Sequence, residues 1–321
     1  MTSLRELLVC VAGPCGGPLA PPPRVTDYLR CRACGAVYPV LAGVPVVVPS
    51  PMDYLASYRD PVLATLAELG AATPAAVALV DQFAAPARGR AEPLGFGDDW
   101  TVDEGDAARP PAATADATIA GWLAAVPDPS ARLAAAVPAD ADVVVEVGCG
   151  GNLLARQLAR RGRTVVVADL SFRAVARTVA ATGALGVVVD AAALPFGAGT
   201  VDAVVAANLL DLLDEPGGFV AGAVAALAPA GALILSTPDP ALGTDEPGFL
   251  AGLLADHGLT ATTIAAGVPW LRAHSSRYFQ LYFADLVVGA RPVSGRGRRG
   301  RGRGRGRSPA RARGRARRPS P

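Results

Sequence analysis

Lysine is missing altogether from this chain of 321 residues: all 30 basic side chains are arginine. Twelve of them fall between positions 296 and 318, a stretch without a single acid. Setting that stretch aside leaves 18 basic against 28 acidic residues, a balance of −10, so the formal charge of +2 conceals an acidic body and a basic end. A body that coats nucleic acid over its whole surface is thereby excluded. Aromatic residues amount to only 5%, which leaves alanine, valine and leucine to do most of the packing. Charged residues are few as well, 18% against 51% hydrophobic, which excludes a wholly disordered chain. A single small module is excluded by length, since one domain takes roughly 100 to 200 residues. No secretory hydrophobic region follows Arg5 and Glu6, which predicts a cytoplasmic chain with reduced thiols. One run, 217–237, is uncharged over 21 residues and long enough to consider as a membrane span. Pro229 and Gly231 break it into a helix, with Val220, Val224 and Leu227 on one face, and a strand over 232–235. No membrane association is expected.

What is present divides the chain into four parts. Residues 1–50 hold four of the five cysteines and end in a valine- and proline-rich run over 38–48, which predicts a small, separate, β-rich module. Residues 51–138 predict a helical connector, with helices over 61–69 and 74–84 and a flexible acidic loop over 98–117. Residues 139–292 alternate β-branched runs, 143–147, 165–168, 186–189, 201–206 and 232–235, with helical segments, the pattern of a parallel sheet in an α/β domain. Leu154 and Leu158 share one helical face, and Ser171 stands where it can cap a helix carrying Phe172, Val175 and Val179. A last run, 280–290, follows an irregular segment and predicts a closing strand. Residues 293–321, glycine and arginine followed by Arg, Ala, Ser and Pro, cannot build a core and predict a disordered tail.

The chemistry gathers where strands end. Gly148 and Gly150 stand at a sharp strand-to-helix turn that lets a ligand approach the backbone. Asp169 ends the next strand, 21 residues after Gly148, where a carboxylate can accept both hydroxyls of a ribose. Asp190 ends the third strand, and the turn after it, through Leu194, Pro195 and Phe196, suits the lining of an adenine. A nicotinamide dinucleotide would want glycine at the sixth position of the first turn, which is Leu153 here. A pyrophosphate is thus disfavoured, whereas a ligand with an amino-acid arm would find Glu146 near its ammonium group. The competing reading is a parallel-sheet protein that binds nothing there.

Glu146-x-Gly148-x-Gly150, Asp169-Leu-Ser171, Asp190-x-x-x-Leu-Pro-Phe196 and the run from Val201 to Asn208 together resemble class I S-adenosylmethionine-dependent methyltransferases of the type 11 kind, over about residues 140–290. The resemblance implies a Rossmann-like, mostly parallel sheet with helices on both faces, preceded by the β-rich module. It implies that Glu146 and the backbone of Gly148 to Gly150 hold the methionine moiety, Asp169 the ribose and Asp190 the adenine edge. Asn152, where many relatives have a third glycine, and Asn208 complete the cofactor-binding candidates. Because a sulfonium methyl is already electrophilic, the protein's main task is to hold a nucleophile in line with it away from water. A base is required only for acceptors that must lose a proton. Asp211 and His274 are the catalytic candidates. Each has a plainer reading, a helix-start carboxylate and an ordinary surface histidine. Trp270, Arg272, Arg277 and Tyr278 surround His274 in sequence. The order Asn208-Leu-Leu-Asp211 replaces the Asn-Pro-Pro-Tyr motif of enzymes that methylate nitrogens of planar groups, which counts against that subgroup.

Four residues stand between Cys10 and Cys15, two between Cys31 and Cys34, and 15 between the pairs, a spacing that can close a tetrahedral thiolate site for structural zinc. Unligated thiols are the alternative. Cys149 belongs to the glycine turn and is set aside. The segments 29–35 and 38–45 resemble the zinc-ribbon activators of methyltransferases, fused here in cis, with a wider first pair than that family has. That resemblance implies packing and substrate presentation rather than catalysis. The tail could bind RNA phosphates without fixed structure, or be a solvated product of arginine-for-lysine drift. The whole predicts a methyltransferase using S-adenosylmethionine and structural zinc, acting on a small molecule. An RNA methyltransferase and a non-catalytic, adenosine- or nucleic-acid-binding activator are the alternatives.

Overall fold

The computed structural model describes residues 2–23, 26–87, 129–150, 153–159, 163–238, 249–275 and 278–292. The acidic loop over 98–117, Asn152 and the arginine-rich tail lie outside these residues.

Strands β1 (Leu19–Ala20), β2 (Tyr28–Cys31), β3 (Val37–Leu41), β4 (Val44–Val47), β5 (Val143–Val147), β6 (Thr164–Asp169), β7 (Leu185–Val189), β8 (Val201–Ala207), β9 (Leu227–Thr237), β10 (Thr260–Ser275) and β11 (Tyr278–Ala290) form one 11-stranded sheet. Its order is β1-β2-β3-β4-β7-β6-β5-β8-β9-β11-β10. From β4 to β9 every neighbouring pair is parallel, and the two ends are antiparallel. This is the α/β class that the alternation of runs predicts, in the Rossmann-like arrangement that the resemblance implies. Valine-rich strands suit such a centre because their β-branched side chains are stiff and pack well on a pleat covered from both sides. All five residues of β5 are buried. Alternation sends Val144 into one core, and Val143, Val145 and Val147 into the other.

The two cores have different covers. On one face the helices Pro51–Ser57, Arg59–Glu68 and Pro74–Ala84 bring Leu55, Val62, Leu66 and Val80 against Val175 of the helix Phe172–Thr182. Glu68 bridges Arg173 and Arg177 of that helix at 3.1 and 3.0 Å. The other face is covered by Phe219, Val220 and Ala223 of the helix Pro216–Ala226, by Leu254 of the helix Phe249–Asp256, and by Leu7, Leu8 and Leu29 from the cysteine-bearing region. Arg291 closes the domain, donating to the carbonyls of Val224, Leu227 and Ala228 at the helix-to-strand corner. Among the described residues no helix is long and apolar enough to cross a membrane.

Two findings correct the sequence reading. Residues 1–50 are not set apart from the α/β sheet, because β4 pairs in parallel with β7, Val46 opposite Val188 and Val47 opposite Val189. The reason is that all four residues of β4 are buried, so the strand has no face to offer water and takes the free edge of the sheet. The segment expected to be irregular before position 280 is strand β10, paired antiparallel with β11. Its signal was broken by register shifts between Thr263 and Val268, by Gly267 with φ of +58° and by Pro269, features an edge strand tolerates.

Candidate active site

Crossovers from β5 run one way through β6 and β7 and the other way through β8 and β9, so the sheet changes direction between β5 and β8. The carboxyl ends beside such a switch point open into a crevice. Val147 lies opposite Ala168 on one side and Ala206 on the other, so the residues that follow each strand emerge side by side.

The turn after β5 takes its shape from backbone that only glycine adopts easily. Gly148 has φ of +77°, and a Cβ there would come within 3.3 Å of Leu209 Cδ1. Its N–H donates to the Ala168 carbonyl at 2.8 Å, and the Gly150 N–H donates to Asp169 Oδ2 at 3.1 Å. Asp169 Oδ1 accepts from the Ser171 N–H at 2.9 Å. Asp169 is therefore the tie between two turns, with lone pairs on both oxygens left over. Burial raises its carboxyl above the usual range, while the N–H groups of Ser171, Gly150 and Leu170 pull it back.

Glu146 is in a more exposed position energetically, though not sterically. It is 2% accessible, and its Oε2 is buried without a hydrogen-bond partner among the described residues. Desolvation first, and then the nearby Asp169 charge, push its carboxyl well above the ordinary value. A buried polar atom without a partner costs about 1–3 kcal/mol. Such an atom beside a turn built for backbone approach is suited to an incoming cation.

The other expected residues fall as follows. Asp190 follows β7, partly exposed, and its Oδ1 accepts from the Ala192 N–H at 2.9 Å to open the short turn 191–193. Asn208 follows β8 in the left-handed region, φ +51°, with its Oδ1 accepting from the Ser236 hydroxyl at 3.0 Å. Asp211, half-buried, is in the turn Leu210–Leu212 on the same rim. His274 lies on a different element, strand β10. It stands near the tip of the β10–β11 hairpin, six residues past Val268, or about 20 Å along the strand at 3.3 Å per residue. Its side chain and Asn152 lie outside what is described. Tyr54, which the sequence reading passed over, reaches the loop after Asp169: its hydroxyl donates to the Leu170 carbonyl at 2.8 Å and accepts from the Phe172 N–H at 3.2 Å. No local signal could have found it, because the partners are 116 and 118 residues away.

The cysteines converge as their spacing predicts. The sulfurs of Cys10, Cys15, Cys31 and Cys34 all lie within 4.8 Å of one another, with Cys10–Cys34 and Cys15–Cys31 at 3.6 Å. Four thiolates around zinc at about 2.3 Å would be about 3.8 Å apart, so the donor set fits that ion. Burial raises the Cys31 thiol, but the Cys34 and Ala33 N–H groups and the neighbouring thiols outweigh it and hold it at about 6. Burial pushes Cys10 up to about 12, against the Tyr38 hydroxyl at 3.1 Å. A Cβ on Gly17 would come within 2.7 Å of Ala33 Cβ and 2.9 Å of Cys31 Sγ, so the cluster closes only with glycine there. The wider first pair is absorbed by a loop with Gly13 and Gly16 at φ of +57° and +59°. The strand-like segment before Cys10 also clamps the turn after Asp190: the Val9 N–H donates to the Pro195 carbonyl at 2.9 Å, and the Gly197 N–H donates to that of Leu7 at 2.8 Å.

A parallel sheet with a glycine turn, a buried carboxyl oxygen lacking a partner among the described residues and two further strand-end carboxylates gives an α/β domain with a candidate ligand site at its strand ends. Residues 145–235 match the family model described as a methyltransferase domain. A ubiquinone biosynthesis O-methyltransferase of Caulobacter sp. (strain K31) is 34% identical over 100 residues, 29% of this chain and 40% of that protein. The chain thus matches less than half the length of that relative. Among solved structures, a TehB-like SAM-dependent methyltransferase of Corynebacterium glutamicum is 22% identical, covering 55% of this chain and 95% of its own, with a TM-score of 0.41. A chain from the complex between the Haloferax volcanii Trm112 methyltransferase activator and a methyltransferase is 20% identical, covering 50% of this chain and 87% of its own, with a TM-score of 0.39.

Proposed function

We propose that the chain transfers the methyl group of S-adenosylmethionine to a small-molecule acceptor in the cytoplasm. The observation that carries this reading is Glu146: a carboxyl oxygen buried without a partner among the described residues, beside a left-handed glycine turn, at the switch point of a parallel sheet. When bound, the sulfonium compound supplies an activated methyl group. The chain's own residues do the rest. Glu146 receives the ammonium of the methionine arm, which restores its charged form. The turn from Gly148 to Gly150 lets the backbone reach the same arm. Asp169, held by two N–H donors, presents its remaining lone pairs to the ribose hydroxyls, and Asp190 stands on the adenine side. Asn208 completes the cofactor side of the site, and Asp211, on the same rim, is the base for an acceptor that must lose a proton. The thiol cluster holds a closed, structural zinc ion that takes no part in transfer.

The acidic body supports a small acceptor over RNA, since a balance of −10 outside residues 296–318 repels phosphate backbones. Titration calorimetry with S-adenosylhomocysteine tests the pocket. Micromolar binding is expected, weakened by about 10- to 150-fold in Asp169→Ala, because a hydrogen bond to a charged group is worth about 1.5–3 kcal/mol. No heat at millimolar ligand ends the proposal. Loss of turnover on truncation after Pro292, with cofactor binding intact, would transfer the reading to RNA.

A further inference from the structure

Tyr54 belongs to neither the methyltransferase-matched segment nor the cysteine cluster. It sits in the first turns of the helix Pro51–Ser57, which Pro51 opens and Ser50 caps by accepting from the Asp53 N–H at 3.3 Å. That helix follows β4 after three residues, and β4 is fastened to β7, so the ribbon's last strand sets where Tyr54 lands. Tyr54 is 1% exposed, and its ring lies 5.0 Å from that of Tyr58 at 44°. A phenol so deeply buried must use its polar end.

It uses both functions of the hydroxyl. As a donor it takes the Leu170 carbonyl, the first backbone acceptor after β6, and as an acceptor it takes the Phe172 N–H. Phe172 is the first residue of its helix, where the N–H has no partner within the helix. Ser171, between the two, gives its own N–H to Asp169 Oδ1 and caps the helix through the Ala174 N–H at 3.2 Å. One hydroxyl thus pins both sides of the peptide unit that aims Asp169. Burial drives the hydroxyl far above the ordinary tyrosine value, so it stays a donor at any working pH.

We propose that Tyr54 is a positioning residue for the ribose-binding carboxylate: its hydroxyl fixes the Leu170–Phe172 turn and so the orientation of Asp169, making cofactor affinity depend on a segment that lies outside the matched domain. The proposal rests on the reading of Asp169 as the ribose contact. It assigns no chemistry to Tyr54 at the methyl group.

The test uses the full chain, the probe S-adenosylhomocysteine and its 2′,3′-dideoxyribose analogue, with Tyr54→Phe as the variant. Removing one buried hydroxyl that serves two bonds is expected to weaken the natural probe by about tenfold. The analogue, which offers Asp169 nothing to hold, is expected to bind wild type and variant within about twofold. Equal losses on both probes would show a merely structural tyrosine and overturn the proposal, as would no loss on either. Wild-type protein that binds neither probe overturns the pocket reading together with this one. Wild-type protein that binds both equally well removes Asp169 from the ribose. Where Tyr54→Phe melts before it can be titrated, amide hydrogen exchange of the unaltered protein decides. Slow exchange at Phe172 without ligand is expected, and exchange at the rate of an open loop overturns the proposal.

Discussion

The cysteine cluster and the glycine-turn site are both built from buried ionisable groups held by short loops, and they are finished in opposite ways. In the cluster, four sulfurs face one another, the Tyr38 hydroxyl meets Cys10, and N–H groups of Ala33 and Cys34 meet Cys31, so the donors have a common centre. In the site, Asp169 has its N–H donors but Glu146 Oε2 has none among the described residues, and the Asp169 charge adds to the cost of burying Glu146. Closed satisfaction marks a place made for stability, and a standing deficit marks a place made for a ligand. The clamp between residues 7–9 and 195–197 joins the two, so the stable region braces one wall of the costly one.

Breaking the closed region should have the largest effect. Removal of zinc by a chelator, or Cys31→Ser, is expected to cost on the order of 5 kcal/mol, read as a fall in melting temperature of well over 10 °C, because the thiols then repel or sit buried without a centre. Retention of the melting point after the metal has been shown to leave would mean that the ribbon is held by its apolar core alone. At the open region, Gly148→Ala forces a side chain into the left-handed region and against Leu209. A cost of about 1–3 kcal/mol in stability is expected, together with loss of measurable S-adenosylhomocysteine binding in calorimetry. An alanine variant that binds normally would separate the turn from the site.

Glu146→Gln sharpens the contrast, because the variant should be more stable and less functional at once. The folded carboxyl is raised above its unfolded value, so the folded protein holds the proton longer. Stability therefore falls as pH rises through and above the unfolded value near 4.3, and the penalty is absent below it. Glutamine removes the penalty: a gain of about 1–2 kcal/mol at pH 7 that fades towards pH 4 is expected from melting curves, with weaker ligand binding at pH 7. A pH-independent change would refer the effect to packing. The smallest effect belongs to Ser171→Ala, which loses the cap on the Ala174 N–H and should cost about 1 kcal/mol by denaturant titration while leaving Asp169 its backbone donor from residue 171.

Much of this was legible in the residues themselves. Four of the parallel strands announced themselves as short valine-rich runs and a fifth as the apolar run 232–235, and β5 begins and ends where its pattern does. Ser171 was readable as a cap because capping is decided within three residues. The cysteine spacing announced a four-sulfur cluster, since each knuckle closes within one turn. Strand β10 was illegible because its pairing with β11 carries bulges and its residues include Gly267 and Pro269, so no clean period of two survives. The placement of His274 far along that hairpin was hidden with it.

Local pattern determined the elements: which runs are strands, where the glycine turn bends, which carboxylates end strands and which cysteines pair off. These are decided by steric preferences and hydrogen bonds acting over a few residues, and they would be the same in any surroundings. Only the tertiary structure decided that β4 joins β7 rather than closing a separate module, that the segment before Cys10 clamps the turn after Asp190, and that Tyr54 holds the loop beside Asp169. Those contacts bridge more than 100 residues, and what selects them is the burial of whole apolar faces and the need to pair every polar group thereby enclosed, a condition no short window of sequence contains.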